Sequence, residues 1–565
     1  MTRMRRAANW PYRLSVALLF LILGGYIVWP MLSVLAQTFL TNPGELPDGA
    51  RAFTWEHWRQ ALKPSNLRAL GASLVLSAVS TALAAALGGA LAALYSRWDF
   101  PGRSVCVAAA MLPLTLPPLV GVFAFWRMLN ETGLIPRVLF DWFGVRFSLE
   151  RGWAGVYLVH GYSFSVYFFI MLSAAIGGLD GSTFEAARNL GASRARVFFR
   201  VALPQLKPAL VGGAILVFMT SMASFTAPYI YVNARDVLTL NIVRAFENNR
   251  AGEASILCLF MTASSFVLLW AMMAWTERTK HYSANKGAAP RPRRVVAKPA
   301  RIALAALGAT ISLLLAAPHL YIALESFVRP GTWFLQTFPP AYTLDNYKEI
   351  FRQPDFLRPA FVSLKASAAA ALGVAGFGLL AAWLVARKRF PGRAAAAILA
   401  MLPWALPGTV IAINLLEAFA RPSIWTFGSR LHGTVAILAL AYFIRYIPLA
   451  YRSTLASLEA MDPNLELAAM NLGASRARTL GRVTVPLIAP GLLAGTLLAF
   501  VTALGEFVSS ILLYVSETMP ISVRIYDLLR QGYEKAAAYS VLLMLLIAAA
   551  LVFSAKALKT GGPKA

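Results

Sequence analysis

The chain has 565 residues, of which 58% are hydrophobic and only 14% are charged. Soluble domains carry about 25% charged residues, so this composition excludes an ordinary soluble or disordered protein. The 52 Lys and Arg residues against 25 Asp and Glu residues give a net charge of +27. These positive charges lie in short segments between apolar runs, which argues against a nucleic-acid-binding surface. The two cysteines lie in apolar stretches, which argues against a disulfide framework and a cysteine metal site.

Long apolar segments follow one another along the whole chain. About 20 apolar residues in a helix cross the roughly 30 Å hydrocarbon core of a bilayer. In the first half, the predicted spans lie near 14–37, 67–95, 104–128, 153–176, 207–232 and 254–276. In the second half, they lie near 301–326, 360–386, 395–418, 433–456, 488–514 and 536–557. The predicted fold class is an all-α polytopic membrane protein with about 12 transmembrane helices.

Basic residues are unevenly distributed between the two sides of the predicted spans. One set of loops is strongly basic, with clusters near 3–13, 97–103, 188–207, 278–298, 387–393 and 476–482, whereas the opposite loops mix both signs. The positive-inside rule places the basic loops in the cytoplasm. We therefore expect both termini to be cytoplasmic.

The two halves repeat each other. Arg97–Arg103 recurs as Arg387–Arg393, and both segments contain Phe-Pro-Gly-Arg. The eight residues Asn189–Arg196 recur without change as Asn471–Arg478. We therefore divide the chain into a first repeat (1–277), a basic linker (278–300) and a second repeat (301–565). Each repeat has an even number of predicted spans, so the two are expected to be parallel.

Two prolines recur just inside equivalent predicted spans, at 113 and 117 and again at 403 and 407. Proline removes a backbone donor and bends or breaks a helix. The bend is either purely structural or part of a broken helix that lines a translocation path.

Each repeat also contains a cytoplasmic helix–turn–helix pattern, near 177–206 and 459–487. In the first, Ser182 and Glu185 fit a capping box, Gly191 suits a left-handed helix C-terminus, Ser193 can cap a second helix, and Pro204 precedes the next span. In the second, Asp462 and Pro463 form a helix start.

These segments carry a family resemblance. Glu185, Ala186, Ala187, Gly191, Val201, Leu203 and Pro204 match the EAA loop of the permease subunits of binding-protein-dependent ABC importers. The chain resembles two such units fused together, most closely the ferric-iron permeases. The segments 177–206 and 459–487 are called the first and second EAA loops below. The second departs from the pattern because Leu467 stands where the glutamate is expected and Glu466 lies one residue earlier.

The resemblance implies an inner-membrane translocation subunit that works by alternating access. It implies that each EAA loop couples to one subunit of a cytoplasmic ABC ATPase homodimer, and that a periplasmic solute-binding protein delivers the solute, received by outer loops near 41–62 and 329–358. The resemblance assigns ATP and Mg²⁺ to the ATPase partner. In agreement with this, the sequence has no phosphate-loop motif, so we do not expect this chain to be an enzyme. The implied coupling residues are Glu185, Ala186, Ala187, Gly191, Arg194, Glu466, Ala468, Ala469, Gly473 and Arg476.

Polar residues at membrane depth are functional candidates because their desolvation is costly. Glu506 is the strongest, and it aligns with Ser224 of the first repeat. The full set expected to line a substrate path is Glu506, Ser509, Ser510, Ser224, Thr226, Tyr442, Arg445, Tyr446 and His160. Arg127 lies nearer a helix end, where snorkelling explains it.

The sequence leaves alternatives open for the substrate and for the class of protein. Ferric iron favours carboxylate and phenolate oxygens, of which this core offers few, so thiamine, a phosphonate or a polyamine stay open as cargo. A secondary transporter predicts a coupling-ion site with buried acids near broken helices and often inverted repeats, whereas this sequence has parallel repeats and two cytoplasmic docking loops. A membrane enzyme predicts a clustered catalytic constellation, whereas the five histidines are scattered.

Overall fold

The computed structural model describes residues 10–42, 45, 51–179, 181–232, 237–277, 293–333, 336–419 and 421–560. Both ends of the chain and the predicted linker up to residue 292 lie outside these ranges. Nine helices of the described residues are long and apolar enough to cross a membrane, or up to 11 if each of two bent pairs is one span. The shorter apolar helix Ala251–Val267 lies in a further predicted span. The predicted all-α polytopic fold is confirmed.

The first part of the chain forms 14 of the helices that we number. They are α1 (Trp10–Leu23), α2 (Trp29–Gln37), α3 (Glu56–Ala61), α4 (Pro64–Arg97), α5 (Arg103–Ala109), α6 (Pro118–Leu129), α7 (Leu134–Phe143), α8 (Trp153–Gly177), α9 (Gly181–Asn189), α10 (Arg194–Val197), α11 (Leu203–Met222), α12 (Thr226–Tyr231), α13 (Leu238–Glu247) and α14 (Ala251–Glu277).

The second part repeats this order, except that one helix replaces α1 and α2 and that α7 has no counterpart among the numbered helices. Its helices are α15 (Lys298–Ser326), α16 (Asp345–Arg352), α17 (Pro354–Arg387), α18 (Arg393–Met401), α19 (Gly408–Phe419), α20 (Val435–Ala460), α21 (Asn464–Asn471), α22 (Arg476–Thr479), α23 (Val485–Leu504), α24 (Ser510–Leu513), α25 (Ile521–Leu528) and α26 (Tyr533–Thr560). Two short strands, β1 (Trp98–Asp99) and β2 (Arg293–Arg294), pair in parallel.

The helices group into two compact units that do not coincide with the two halves of the sequence. Unit 1 comprises 1–61, 245–258 and 345–565, and unit 2 comprises 62–244 and 259–344. Unit 1 is built on α17, α20 and α23, and α2 packs on α19. Unit 2 is built on α4, α8 and α11, and α15 packs on α5 and α6. Unit 1, which consists mainly of the second half of the sequence, therefore contains the first helices of the first half. Unit 2, which consists mainly of the first half, contains α15, the first helix of the second half.

Small residues allow the long helices of each unit to pack closely. A Cβ at Gly88 of α4 would lie 2.2 Å from the carbonyl oxygen of Ser165 on α8. A Cβ at Gly495 of α23 would lie 2.6 Å from the carbonyl oxygen of Leu449 on α20. Close backbone approach of this kind is typical of helix contacts within membranes, where dispersion replaces the hydrophobic effect.

The predicted spans near 104–128 and 395–418 are sharply bent. The helix pairs on either side of the breaks turn through 104° and 112°. Leu116 and Leu406 are extended, with ψ of 110° and 122°, because a residue that precedes proline avoids the helical region. The helix restarts after Pro117 and Pro407. The repeated prolines therefore break these helices, as their positions indicated.

The predicted spans 207–232 and 488–514 are also interrupted. Helix α11 ends at Met222 and α23 ends at Leu504, and each is followed by a turn and a short helix. In unit 2, the Thr239 hydroxyl donates to the Ser224 carbonyl at 2.9 Å. In unit 1, the Ser522 hydroxyl donates to the Glu506 carbonyl at 2.7 Å. In each unit, a side-chain hydroxyl therefore donates to a backbone carbonyl that lost its helical partner at the break.

Candidate coupling loops and polar clusters

The first EAA loop is a short surface helix closed by a left-handed glycine. Gly191 has φ of 79°, and the Ala192 N–H donates to the Ala187 carbonyl at 3.0 Å, which closes the C-terminus of α9. The Ser193 hydroxyl then accepts the N–H of Arg196 and caps α10. Both roles match the sequence prediction. The predicted capping box does not, because α9 begins at Gly181 and Ser182 lies inside the helix.

The second EAA loop has the same geometry. Gly473 has φ of 87°, and the Ala474 N–H donates to the Ala469 carbonyl at 3.0 Å. The Ser475 hydroxyl accepts the N–H of Arg478 and caps α22. At the start of α21, the Asp462 carboxylate accepts the N–H of Asn464 at 2.9 Å, as expected of a capping aspartate.

Pro204 was expected to precede the next span, whereas the structure places it inside that span. A π-helical turn at Phe198–Ala202 joins α10 to α11, so that Arg194–Met222 forms one span. The turn at Leu480–Thr484 joins α22 to α23 in the same way. Pro204 and Pro486 lie in the first turn after the π turn, where proline's missing N–H is tolerated.

Most residues expected to couple to a partner are accessible. None of the residues of α9 or α21 is buried. Leu190 and Leu472, which precede the two left-handed glycines, are 88% and 89% exposed. The exposed members of the expected set are Glu185, Ala186, Gly191, Arg194, Ala468, Gly473 and Arg476. Ala187, Ala469 and Glu466 are half-buried. The two leucines were missed, although their place in the repeated segment could have revealed them.

Glu466 differs from the exposed residues because it forms an ion pair within unit 1. Its Oε2 lies 3.1 Å from Nε of Arg387, and its Oε1 accepts a hydrogen bond from the Thr484 hydroxyl at 2.7 Å. Lys388 lies next to this pair in the sequence. Burial, together with the Arg476 charge, lowers the pKa of Lys388, and the Glu466 charge opposes that shift.

Glu506 is the centre of a polar cluster in unit 1. Its Oε2 accepts a hydrogen bond from the Tyr446 hydroxyl at 2.6 Å and lies 3.1 Å from Nε of Arg445. Its Oε1 accepts the N–H and the hydroxyl of Ser509, each at 3.1 Å. The Glu506 side chain is only 5% exposed. Protein groups therefore satisfy this carboxylate, and it holds the interruption of the helix after Leu504 against α20.

Tyr442 and Ser510 extend the same cluster. The two hydroxyls lie 2.6 Å apart, and the Ser510 hydroxyl also donates to the Glu506 carbonyl at 2.7 Å. Both side chains are buried. The structure thus brings together Glu506, Ser509, Ser510, Tyr442, Arg445 and Tyr446, all expected to lie on a substrate path.

His160 is the centre of a corresponding cluster in unit 2. Its Nε2 lies 3.0 Å from the Ser224 hydroxyl, and its Nδ1 lies 2.9 Å from Ser80 and 3.2 Å from Ser221. His160 is 2% exposed and Thr226 is also buried. In the repeat alignment His160 falls on Tyr442, just as Ser224 falls on Glu506. Both repeats therefore place bonded polar groups at the same helix break.

Arg127 was expected to reach the membrane surface and instead forms a buried ion pair in unit 2. Its Nε lies 2.6 Å from Oε1 of Glu325, and the two side chains are 4% and 0% exposed. Its Nη1 also donates to the Thr132 hydroxyl. The pair joins α6 to α15, so its role is to fix one helix against another. A partner 198 positions away in sequence cannot be identified from local pattern.

Within the described residues, no group of three or more His, Cys, Asp or Glu side chains could hold a metal ion. Neither polar cluster is therefore a ready-made metal centre. Both clusters are hydrogen-bonded junctions between helices, and the cluster in unit 1 also contains the compensated Arg445–Glu506 ion pair.

Comparison with known families now defines the class of this protein. The family model of the inner membrane component of binding-protein-dependent transport systems matches residues 85–281 and 375–560. The two matches cover more than half of the chain and fall one on each repeat. The chain belongs to this family as a fused two-unit permease of the ABC importer type, a multi-pass inner-membrane protein.

Several curated relatives span the chain or part of it. A probable ABC transporter permease of Sinorhizobium fredii is 30% identical and covers 81% of each chain. The ferric transport system permease protein FbpB of Actinobacillus pleuropneumoniae is 25% identical over 96% of this chain and 77% of its own. The molybdenum transport system permease protein ModB of Escherichia coli is 36% identical over 34% of this chain and 86% of its own.

Solved structures show only a distant likeness. A bacterial alginate ABC transporter in complex with a pentasaccharide-bound periplasmic protein is 21% identical, with a TM-score of 0.38. The match covers 45% of this chain and 93% of that chain. At this TM-score the likeness adds nothing to the family assignment.

Proposed function

We propose that this chain is the translocation subunit of an ATP-driven importer. The observation that carries the proposal is the pair of EAA loops, which repeat one exposed helix, one left-handed glycine and one capped second helix. Each loop docks on one subunit of a separate cytoplasmic ATPase homodimer, which uses ATP and Mg²⁺. The polar clusters at the helix breaks lie along the solute's route, and both termini face the cytoplasm.

A periplasmic solute-binding protein is the second partner in this proposal. The outer segments near 41–62 and 329–358 receive it. Alternating access follows when nucleotide-driven closure of the ATPase pair is transmitted through the EAA loops to the long helices that continue from them. The unbroken run from Arg194 to Met222 supports this transmission, since a continuous helix carries displacement along its axis.

Ferric iron is the proposed cargo. The support is similarity to relatives named ferric transport system permease, one of which aligns with 96% of this chain. The absence of an acid or histidine cluster in the described part of the chain means that iron would be bound only weakly in transit. Tight binding then belongs to the periplasmic protein, and thiamine, phosphonates and polyamines are the other candidates from the resemblance.

An oxyanion is a second candidate cargo, favoured by two observations. The molybdenum permease relative is the more similar over the part that it matches. Arg445 keeps 22% of its side chain exposed beside the helix break in unit 1. A guanidinium suits an oxyanion better than a ferric ion, because it donates hydrogen bonds to oxygen.

Uptake in cells that retain the native partners tests both the mechanism and the cargo. Labelled ferric iron, molybdate and thiamine are supplied in parallel to cells with and without this chain. We expect iron uptake to depend on the chain and to fall on Glu185→Ala, whereas the exposed control Glu131→Ala leaves it unchanged. If cells without the chain lose only molybdate uptake or only thiamine uptake, that solute is the cargo and the proposed mechanism stands. Dependence of none of the three on the chain contradicts this cargo assignment.

A further inference from the structure

The second EAA loop is tied to its unit by contacts that converge on Glu466. The carboxylate pairs with Arg387 at the end of α17 and accepts a hydrogen bond from Thr484 in the π turn that leads into α23. Both side chains of the ion pair are only 15% exposed. A half-buried pair loses less to solvent screening than a surface pair, so these contacts restrain the loop.

Arg387 is itself fixed at the cytoplasmic end of α20. Its Nη2 donates to the carbonyl of Leu458 at 3.0 Å and to that of Met461 at 3.3 Å. These carbonyls lie at the helix C-terminus, where a cation is favoured by the helix dipole. Through one guanidinium, Glu466 therefore connects α21 to the ends of both α17 and α20.

The first EAA loop has different residues at the equivalent positions. Aligning the repeated segments places Phe184 at the position of Glu466 and Ala202 at that of Thr484. Arg97 corresponds to Arg387, and its guanidinium lies over the ring of Trp98, 5.1 Å from the ring centroid. The glutamate of the first loop, Glu185, is exposed. The carboxylate of one loop thus faces outward, whereas that of the other is bound inward.

We infer that Glu466 is a positioning residue that latches the second EAA loop to the cytoplasmic ends of α17 and α20. In the described part of the first loop, Phe184 and Ala202 stand at these two positions and cannot form this ion pair and hydrogen bond, so we expect the two loops to differ in mobility although their backbones match. The identity of the docking partner rests on the proposed function, but the latch itself does not. At the position of Glu185 the second loop presents Leu467, 52% exposed.

Hydrogen exchange of the full-length permease in lipid nanodiscs, without any ATPase, tests the latch. We expect Glu466→Gln to speed amide exchange in α21 and α22 about tenfold, because a charge-assisted contact is lost. Exchange in α17 should stay unchanged, which shows that the unit remains folded. The matched variant Glu185→Gln should leave exchange in α9 and α10 at the wild-type rate. Wild-type exchange in Glu466→Gln would overturn the inference.

A double-variant comparison identifies the partner of Glu466. Arg387→Gln removes the same ion pair, so the double variant should exchange no faster than Arg387→Gln alone. Additive effects of the two substitutions would show that Glu466 acts independently of Arg387 and would contradict the latch.

The direction of change in the pKa of Lys388 separates loss of the Glu466 charge from loss of packing, because burial lowers this pKa and reduced burial would raise it. The charged groups that act on this lysine are Arg476, which lowers its pKa, and Glu466, which raises it. The isosteric Glu466→Gln removes the favourable charge, so the pKa of Lys388 should fall further. The pH dependence of Lys388 acylation, followed by mass spectrometry, measures this shift, and an unchanged profile would oppose the assigned geometry.

Adding the ATPase subunit separates failure of the latch from failure of the proposed function. Protection of both EAA loops by the ATPase supports docking, whatever the behaviour of Glu466→Gln. Protection of neither loop contradicts docking and leaves the latch result standing. Unchanged exchange in Glu466→Gln with normal ATPase protection rejects the latch alone.

Discussion

At the residue scale, Glu506 shows how a carboxylate can be kept at membrane depth. Arg445, Tyr446 and Ser509 supply an ion pair and three hydrogen bonds to its two oxygens. A buried charge is tolerated when it is paired and its remaining lone pairs are satisfied. The same interactions hold the helix interruption after α23 against α20. The Glu506 side chain therefore both pairs with the Arg445 charge and fixes the position of this interruption.

Replacing Glu506 by Ala should destabilise the protein strongly. The substitution leaves the Arg445 charge, which is 22% exposed, without its partner. Breaking a fully buried pair costs about 3–5 kcal/mol, so we expect a loss toward the lower end of that range. Glu506→Gln keeps an acceptor oxygen and should cost less. The free energy of unfolding in detergent measures both, with the exposed Glu517→Ala as the control, expected within about 0.5 kcal/mol of wild type. Equal stability of Glu506→Ala and the control would disprove this role.

At the scale of the element, the EAA loops depend on backbone conformation more than on packing. A Cβ at Gly191 or Gly473 would meet nothing within 4 Å, so a side chain fits sterically at both sites. Their positive φ is the constraint, since L-residues other than Gly and Asn pay about 1–2 kcal/mol in this region. The glycines therefore fix the angle between the two helices of each loop.

Substituting both glycines by Val should abolish transport without preventing membrane insertion. The β-branched residue disfavours the left-handed turn and so misdirects α9 and α21, which lie outside the predicted spans. The matched Gly→Asn double variant should retain transport, because Asn tolerates positive φ. Membrane fractionation and labelled-solute uptake report the two properties separately. Normal uptake by the Val variant would contradict the role assigned to the loops.

At the scale of the whole molecule, neither half of the sequence contains all the helices of one compact unit. Helix α2 lies on α19 in unit 1, and α15 lies on α5 and α6 in unit 2. The buried Arg127–Glu325 pair reinforces the second of these contacts. Stability of each unit therefore requires residues from both repeats.

Splitting the chain within the linker tests this dependence. Residues 1–277 and 301–565, expressed as separate chains, should each be degraded or aggregate when alone, because each lacks a helix of its unit and each exposes a helix without its packing partner. Co-expression should restore a complex that co-purifies in detergent, since the contacts do not require covalent linkage. The intact chain is the control. A stable, monodisperse 301–565 fragment would be the contrary result.

Local features were predictable from sequence and long-range ones were not. The left-handed turn at Gly191 and the cap at Ser193 depend on residues within five positions of each other. The breaks at Pro117 and Pro407 follow equally from proline's own geometry. By contrast, the partner of Arg127 lies 198 positions away, and the partners of Glu466 come from other elements. The sequence identified Glu506 as unusual. The pairing of its charge with Arg445 could not be predicted, because it depends on how α20 packs against the helix interruption after Leu504.

The exchanged first helices carry an evolutionary consequence. A single-repeat ancestor with this packing could not have buried its own core alone, so it would have existed as a pair of identical copies that swapped helices. Fusion of two such copies would join partners that already depend on each other. In a fused chain, equivalent positions are free to carry different residues, as Phe184 and Glu466 do.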